Sequence, residues 1–174
     1  FPYTTLFRSR MVPNTFLVNV ALNSRREITA VFAGDVEQAH RRGCDFVGRH
    51  ALCEVDRLYD MVITSNAGYP LDRNLYQSVK GMSAAARVLR PGGSLLVCAE
   101  CRDGVPSEGN FGRILASEPS NDLLLRRIRG GDIAMQDVWQ VQILCGIAER
   151  AELLLFCEGL GEAEIAAAHC TPVR

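Results

Sequence analysis

The sequence predicts an α/β fold, a three-layer domain with a mostly parallel sheet flanked by helices. A strand-like run at residues 59–64 (YDMVIT) passes through a loop into a helical stretch from Asn74 to about Leu89. Pro91-Gly92-Gly93 then turns the chain into a second strand-like run, 94–99 (SLLVCA). That β-loop-α-turn-β order belongs to parallel sheets, whose strands need a crossover connection. A third apolar run, 153–157, follows the long helical stretch 135–150 and repeats the alternation. The chain has 174 residues, which suits one such domain with a real core and not comfortably two.

The elements follow in order. Residues 15–22 (TFLVNVAL) and 27–33 (EITAVFA) are β-branched and apolar, and the short turn between them predicts a hairpin. Asp35 is the expected N-cap of a helix over 36–42. Gly43 interrupts that helix, and 46–55 is expected to hold another short strand. After the strand at 59–64, the loop 65–72 (SNAGYPLD) is punctuated by Gly68 and Pro70. Asn74 opens the next helix, and Pro91-Gly92-Gly93 stops it before the strand at 94–99. Two short helices at 111–116 and 122–129 flank Pro119. The long helix 135–150 carries Val138, Val141, Ile143, Leu144 and Ile147. Residues 153–157 form a strand, 162–169 start a final helix, and the chain ends without an obvious closing element.

Composition narrows the function classes. Hydrophobic residues at 48% and charged ones at 22% describe an ordinary globular protein. A formal net charge of -1 argues against a dedicated nucleic-acid binder, which needs a basic excess for phosphate. No apolar run approaches the roughly 20 residues that span a bilayer. Of the seven cysteines, Cys98 and Cys101 form a C-x-x-C pair, but no second pair completes a zinc site. A redox C-x-x-C normally opens a helix, and this one closes a strand-like run. The cysteines are expected to be small buried hydrophobes in a reducing cytoplasm. Among 19 basic side chains Lys80 is the single lysine. In so arginine-biased a chain, a lone lysine raises the question of why arginine would not serve.

Residues 1–9 (FPYTTLFRS) have no capping signal or useful periodicity and do not suit a targeting sequence. They resemble an in-frame translation of a common sequencing-adapter oligonucleotide. They are expected to be an artefact, with native sequence beginning near Arg10 or Met11 and upstream domains missing.

The stretch 65–82, SNAGYPLDRNLYQSVKGM, carries the chemistry. In open α/β sheets ligands sit beyond the carboxyl ends of strands. Here a strand ends at Thr64, and a glycine-containing loop leads to a helix N-terminus, whose free N–H groups favour an anion. Tyr76, Gln77 and Lys80 lie at i, i+1 and i+4 and can share one side of the first turns. A point charge, a donor amide and an aromatic wall with a hydroxyl suit a small carboxylate. Plainer readings stand beside this one. Asn74 and Gln77 also fit a reciprocal capping box, Tyr76 can cover core, and Lys80 can be a solvated charge. Trp139, the one tryptophan, is by itself more often a core anchor than a ligand contact. Asp35 and Asp72 are most simply cap or turn residues. His40, His50 and His169 share no metal-ligand spacing, and no metal site is expected within this chain.

Residues 60–82 (DMVITSNAGYPLDRNLYQSVKGM) resemble the C-terminal-domain signature of nickel-dependent lactate racemases and related 2-hydroxyacid racemases. Residues 33–44 (AGDVEQAHRRGC) and 137–144 (DVWQVQIL) support the match, which extends from about Phe16 to Pro172. The resemblance implies that 10–174 is the C-terminal-type α/β domain of a two-domain racemase, truncated at both ends. It also implies that Tyr76, Gln77, Lys80 and Trp139 line the substrate side of an interdomain cleft. Gln77 and Lys80 would hold the carboxylate of a small 2-hydroxy acid such as lactate, and Tyr76 and Trp139 would shape the pocket. The implied cofactor is a nickel pincer nucleotide, attached to a lysine of the N-terminal domain. The implied reaction removes hydride from the substrate α-carbon and returns it to the opposite face, with histidines as base and acid.

No residue here matches the cofactor lysine, the nickel-binding histidine or the acid/base histidines. The chain is therefore expected to contain no catalytic residue and to be inactive without the missing N-terminal domain. Ala67 and Arg73 stand where the family more usually has Gly and Gln. Two other readings compete. Residues 85–97 (AARVLRPGGSLLV) resemble the helix-turn-strand of S-adenosylmethionine-dependent methyltransferases, although the glycine-rich cofactor loop is absent. A non-catalytic anion-binding or assembly domain is the second.

Overall fold

The computed structural model describes residues 9–174, so residues 1–8 of the N-terminal nonapeptide lie outside the described residues. The chain divides into two compact units, one ending at Glu54 and the other spanning Val55–Arg174.

In the first unit, β1 (Phe16–Leu22) and β2 (Ile28–Asp35) form the expected antiparallel hairpin, paired from Phe16 opposite Asp35 to Leu22 opposite Ile28. Asn23 closes the turn by accepting from the Arg25 and Glu27 N–H groups at 2.9 and 3.0 Å. Asp35 caps α1 (Val36–Ala51) by accepting from the Gln38 N–H at 3.0 Å. The helix does not stop at Arg42. It continues through Gly43, and no strand forms over 46–55. A mid-helix glycine costs only about 1 kcal/mol against alanine. The Phe32 ring lies over Gly43 at ordinary contact distance, its Cδ2 3.4 Å from where a Cβ would stand. Phe46 then meets Phe32 at 5.6 Å between ring centroids, a contact that favours the helical state.

In the second unit, β3 (Tyr59–Ser65), β4 (Leu89–Cys98), β5 (Glu152–Phe156) and β6 (Thr171–Val173) pair in sequential order, all parallel. Between them run α2 (Leu75–Ala85), then α3 (Phe111–Leu115), α4 (Asn121–Gly130) and α5 (Val138–Ala148), then α6 (Glu162–Ala167). The α/β class and the parallel sheet flanked by helices are as the sequence predicts. The connecting helices pack against the face that carries one set of alternate strand positions. Leu95, Val97, Leu153 and Leu155 point into that face and are buried with Leu75, Val79, Met82, Val141 and Leu144. The alternate positions point the other way; Leu96 and Leu154 are half-buried, and Met61, Ile63 and Phe156 are exposed.

Three boundaries differ from the sequence prediction. The helix expected to reach Leu89 ends at Ala85. Pro91-Gly92-Gly93 lie within β4 as an irregularity, with Tyr59 opposite Leu89 and Met61 opposite Ser94. Gly93 is required there, because a Cβ would stand 2.5 Å from the Asp60 carbonyl. The terminal Thr171-Pro172-Val173 is an edge strand, a place where proline is tolerated. No helix among the described residues is long and apolar enough to cross a membrane.

All seven cysteines are free, but not all are buried. Cys101, Cys145 and Cys170 are buried, Cys98 and Cys157 half-buried, and Cys44 and Cys53 exposed, because those two lie on and just after the solvated α1. Burial pushes the Cys101 and Cys145 thiols up to about 12, so both stay protonated at neutral pH. Iodoacetamide at neutral pH is expected to label Cys44 and Cys53 in the native protein, and Cys145 only after denaturation. Peptide mass spectrometry checks this, and full native labelling of Cys145 would contradict its packing.

Candidate functional site

The loop after β3 is fastened at both ends. The Asn66 side-chain amide donates to the Leu71 carbonyl within the loop and to the Gln77 carbonyl in α2, the latter at 3.0 Å. Asp72 is 5% exposed, and its carboxylate accepts from the Glu100 N–H at 3.0 Å. Its carbonyl accepts from Cys101 N at 3.1 Å, and the Arg73 carbonyl from Asp103 N at 2.7 Å. Arg73 also pairs with Asp103 through its guanidinium at 2.6 Å. The loops following β3 and β4, neighbours at the carboxyl edge of the sheet, are therefore tied together.

Ala67 has φ 63°, a left-handed backbone that costs an alanine about 1–2 kcal/mol. Ala67→Gly is expected to raise the melting temperature modestly, since relief of that strain exceeds the roughly 0.5–1 kcal/mol entropic cost of glycine. A lowered melting temperature would show that the loop relies on the alanine methyl.

At the start of α2, the Asn74 side chain accepts from the Gln77 N–H at 3.1 Å, so the N-cap half of the capping box is present. The Gln77 side chain takes another role. Its Oε1 accepts from Lys80 Nζ at 2.7 Å. The pair leaves two N–H donors on the exposed ammonium and two on the Gln77 amide, a donor set that matches a carboxylate. Gly81 lets the helix approach the sheet closely. A Cβ there would lie 2.9 Å from the Ser65 carbonyl and 3.3 Å from Asn66 Oδ1. Gly81→Ala is expected to destabilise the protein by about 1–3 kcal/mol, read from the urea midpoint, because the obstacle is mainly backbone.

Tyr76 occupies the same turn of α2. Its ring meets Phe111 and Trp139 edge-on at 5.3 and 5.8 Å between centroids. Gln140, 1% exposed, donates from Nε2 to the Tyr76 carbonyl at 2.8 Å and so couples α5 to α2. Burial, and then the charge of Asp137, push the Tyr76 hydroxyl above its ordinary value, which keeps it a neutral donor. Asp137 itself has φ 73°, and its carboxylate accepts from the Asn110 N–H at 3.0 Å, fixing the entry to α5.

The four residues predicted from the sequence thus fall into two contacts, Gln77 with Lys80 and Tyr76 with Trp139, joined because Tyr76 and Gln77 are consecutive in α2. Trp139 is 42% exposed, consistent with a wall rather than a wholly buried anchor. Sequence reasoning missed Asn66, Gln140 and Asp137, and took Asp72 for a cap or turn residue. Only the left-handed loop, hinted at by Gly68, carried a local signal for any of them.

These features define a class: a parallel α/β domain whose polar side chains gather at a helix N-terminus beyond the carboxyl edge of its sheet. Residues 55–174 match the model of the Lactate racemase C-terminal domain family. The chain belongs to the lactate racemase family. A lactate racemase from Thermoanaerobacterium thermosaccharolyticum is 34% identical over 170 residues, covering 97% of this chain and 40% of that protein. One from Lactiplantibacillus plantarum is 36% identical over 144 residues, covering 82% and 34%. The solved lactate racemase apoprotein from Thermoanaerobacterium thermosaccharolyticum superposes with a TM-score of 0.89 at 33% identity, over 97% of this chain and 40% of that one. The chain spans less than half the length of these relatives. The Pro-Gly-Gly segment that suggested a methyltransferase is accounted for by the irregularity in β4.

Proposed function

We propose that this chain provides the substrate-holding part of a racemase acting on lactate or a related 2-hydroxy acid. The observation that carries the reading is the Gln77–Lys80 contact at 2.7 Å, which orients an ammonium and an amide together beside the Tyr76–Trp139 wall. Lys80 and Gln77 hold the substrate carboxylate. Trp139 and Tyr76 confine its carbon skeleton, and the neutral Tyr76 hydroxyl donates to an oxygen of the acid. Fixing the carboxylate lets the planar 2-oxo intermediate be approached at either face without leaving the site.

The nickel pincer nucleotide, when bound, supplies the hydride acceptor for the substrate α-carbon. The described residues do not fit that group: no three His, Cys, Asp or Glu side chains come together, and the single lysine is engaged with Gln77. Cofactor attachment and acid/base chemistry therefore belong, in this reading, to a partner domain of the longer relatives' kind, and this chain alone is inactive. The free thiols suit a reducing compartment such as the cytoplasm.

The single tryptophan provides the test. Lactate titrated into the protein is expected to change Trp139 emission saturably, acetamide is expected to have no effect, and no lactate is racemised. An emission unmoved by lactate at any concentration would remove Trp139 and Lys80 from a substrate site.

A further inference from the structure

Two thiols lie together at the carboxyl edge of the parallel sheet. We propose that Cys101 and Cys157 form a reversible disulfide under peroxide, a switch that releases the loop after β4 from α2.

Cys98 and Cys101 are three apart in sequence, yet the fold does not pair them. Along β4, Leu95, Val97 and Ala99 are buried on the helix side, so Cys98 alternates to the opposite face. Cys101 turns inward instead. It is fully buried, and its Sγ meets Ser78 Oγ of α2 at 3.5 Å. Cys157 continues the alternation of Leu153 and Leu155 and sits on that same side, half-buried against the core. Its Sγ donates to the Glu100 carbonyl at 3.3 Å, one peptide unit from Cys101. The Gly159 N–H donates to the same carbonyl at 2.9 Å, and a Cβ on Gly159 would lie 2.2 Å from the Cys101 carbonyl oxygen. The chain after β5 is therefore folded closely over residues 100 and 101. Neighbouring strands stand about 4.8 Å apart, within the roughly 4.4–6.8 Å that a disulfide spans between Cα atoms.

The two thiols have different roles. Burial above all pushes the Cys101 thiol up to about 12, Ser78 pulls it down, and the neighbouring Cys157 thiol and Asp72 carboxylate add to the rise. Cys101 thus rests protonated, and the half-buried Cys157 meets the oxidant first. The Cys157 sulfur attacks one peroxide oxygen, and its proton leaves with the departing hydroxide as water. The Cys101 sulfur then displaces hydroxide from the sulfenic acid so formed, and the Cys101 proton turns that hydroxide into a second water. One S–S bond replaces two S–H bonds, and two electrons pass from the thiols to the peroxide. Once bonded to Cys157, the Cys101 sulfur no longer rests on Ser78. That hydroxyl also donates to the Asn74 carbonyl at 3.2 Å, so the first turn of α2 is loosened where Gln77 and Lys80 stand. The switch does not depend on the lactate-holding reading, because its bond and its effect on α2 are both read without lactate.

The full chain is treated with hydrogen peroxide, free thiols are blocked with iodoacetamide, and unreduced peptides are sequenced by mass spectrometry. A Cys101–Cys157 link is expected, lost with dithiothreitol, absent in Cys157→Ser and retained in Cys98→Ser. Amide hydrogen exchange from Ser78 to Lys80 is expected to be severalfold faster in the linked protein, and insensitive to peroxide in Cys157→Ser. Far-ultraviolet circular dichroism confirms that both variants keep the fold. A Cys98–Cys101 link, or Cys157 carried to sulfinic acid with no link in the wild type, would overturn the pairing. Unchanged exchange in the linked protein would overturn the switch.

Discussion

Phe111→Ala is expected to lower stability by about 3–5 kcal/mol, the range for emptying a buried aromatic site. Phe111 is 1% exposed and begins α3, a helix of five residues that has no intrinsic stability without tertiary packing. Its ring also supplies one of the two edge contacts that hold Tyr76. The substitution should therefore act twice, lowering the urea midpoint and freeing the Tyr76 ring beside Trp139. Trp139 emission in the native baseline should shift along with the midpoint. Phe111→Leu, which refills most of the volume, is expected to recover much of the stability but not the edge-on contact. A loss below about 1 kcal/mol for the alanine variant would mean that α3 is not held by this side chain.

Lys80→Ala is expected to weaken lactate binding by about 10- to 150-fold, the equivalent of the roughly 1.5–3 kcal/mol assigned to a hydrogen bond with a charged group. The fold should be nearly untouched, because the lysine is exposed and its one described partner is the neighbouring Gln77. Unchanged thermal unfolding together with a weakened lactate-dependent change in Trp139 emission separates a binding role from a structural one. Lys80→Arg is expected to recover only part of the affinity. The guanidinium spreads its charge over a longer fork and cannot reproduce the single 2.7 Å contact that aims the ammonium. Equal lactate affinity in wild type and Lys80→Ala would leave the Gln77–Lys80 pair as helix-surface chemistry.

The sequence alone carried the parts of this protein that depend on near neighbours. The apolar runs at 59–64 and 153–157 announced strands, and the alternation of strand and helix announced a parallel sheet, but only the second run is buried: Leu153 and Leu155 lie in the core, whereas β3 leaves Met61 and Ile63 exposed. Asp35 and Asn74 announced helix starts, since a cap needs only a partner two or three residues away. Tyr76, Gln77 and Lys80 could be placed together because helical spacing is a local rule.

Tertiary structure decided the rest. Gly43 reads locally as a helix breaker, but Phe32 of β2 packs against its bare backbone and the helix continues. Residues 171–173 become a strand only because β5 offers them an edge. Asp72 and Gln140 read as ordinary polar residues, yet their partners lie 28 and 64 residues away, and only the fold shows that both are buried. Even Gln77, correctly placed from sequence, could have bonded back to Asn74 as well as forward to Lys80. Both alternatives satisfy local geometry, and the three-dimensional structure selects the forward contact that orients the single lysine.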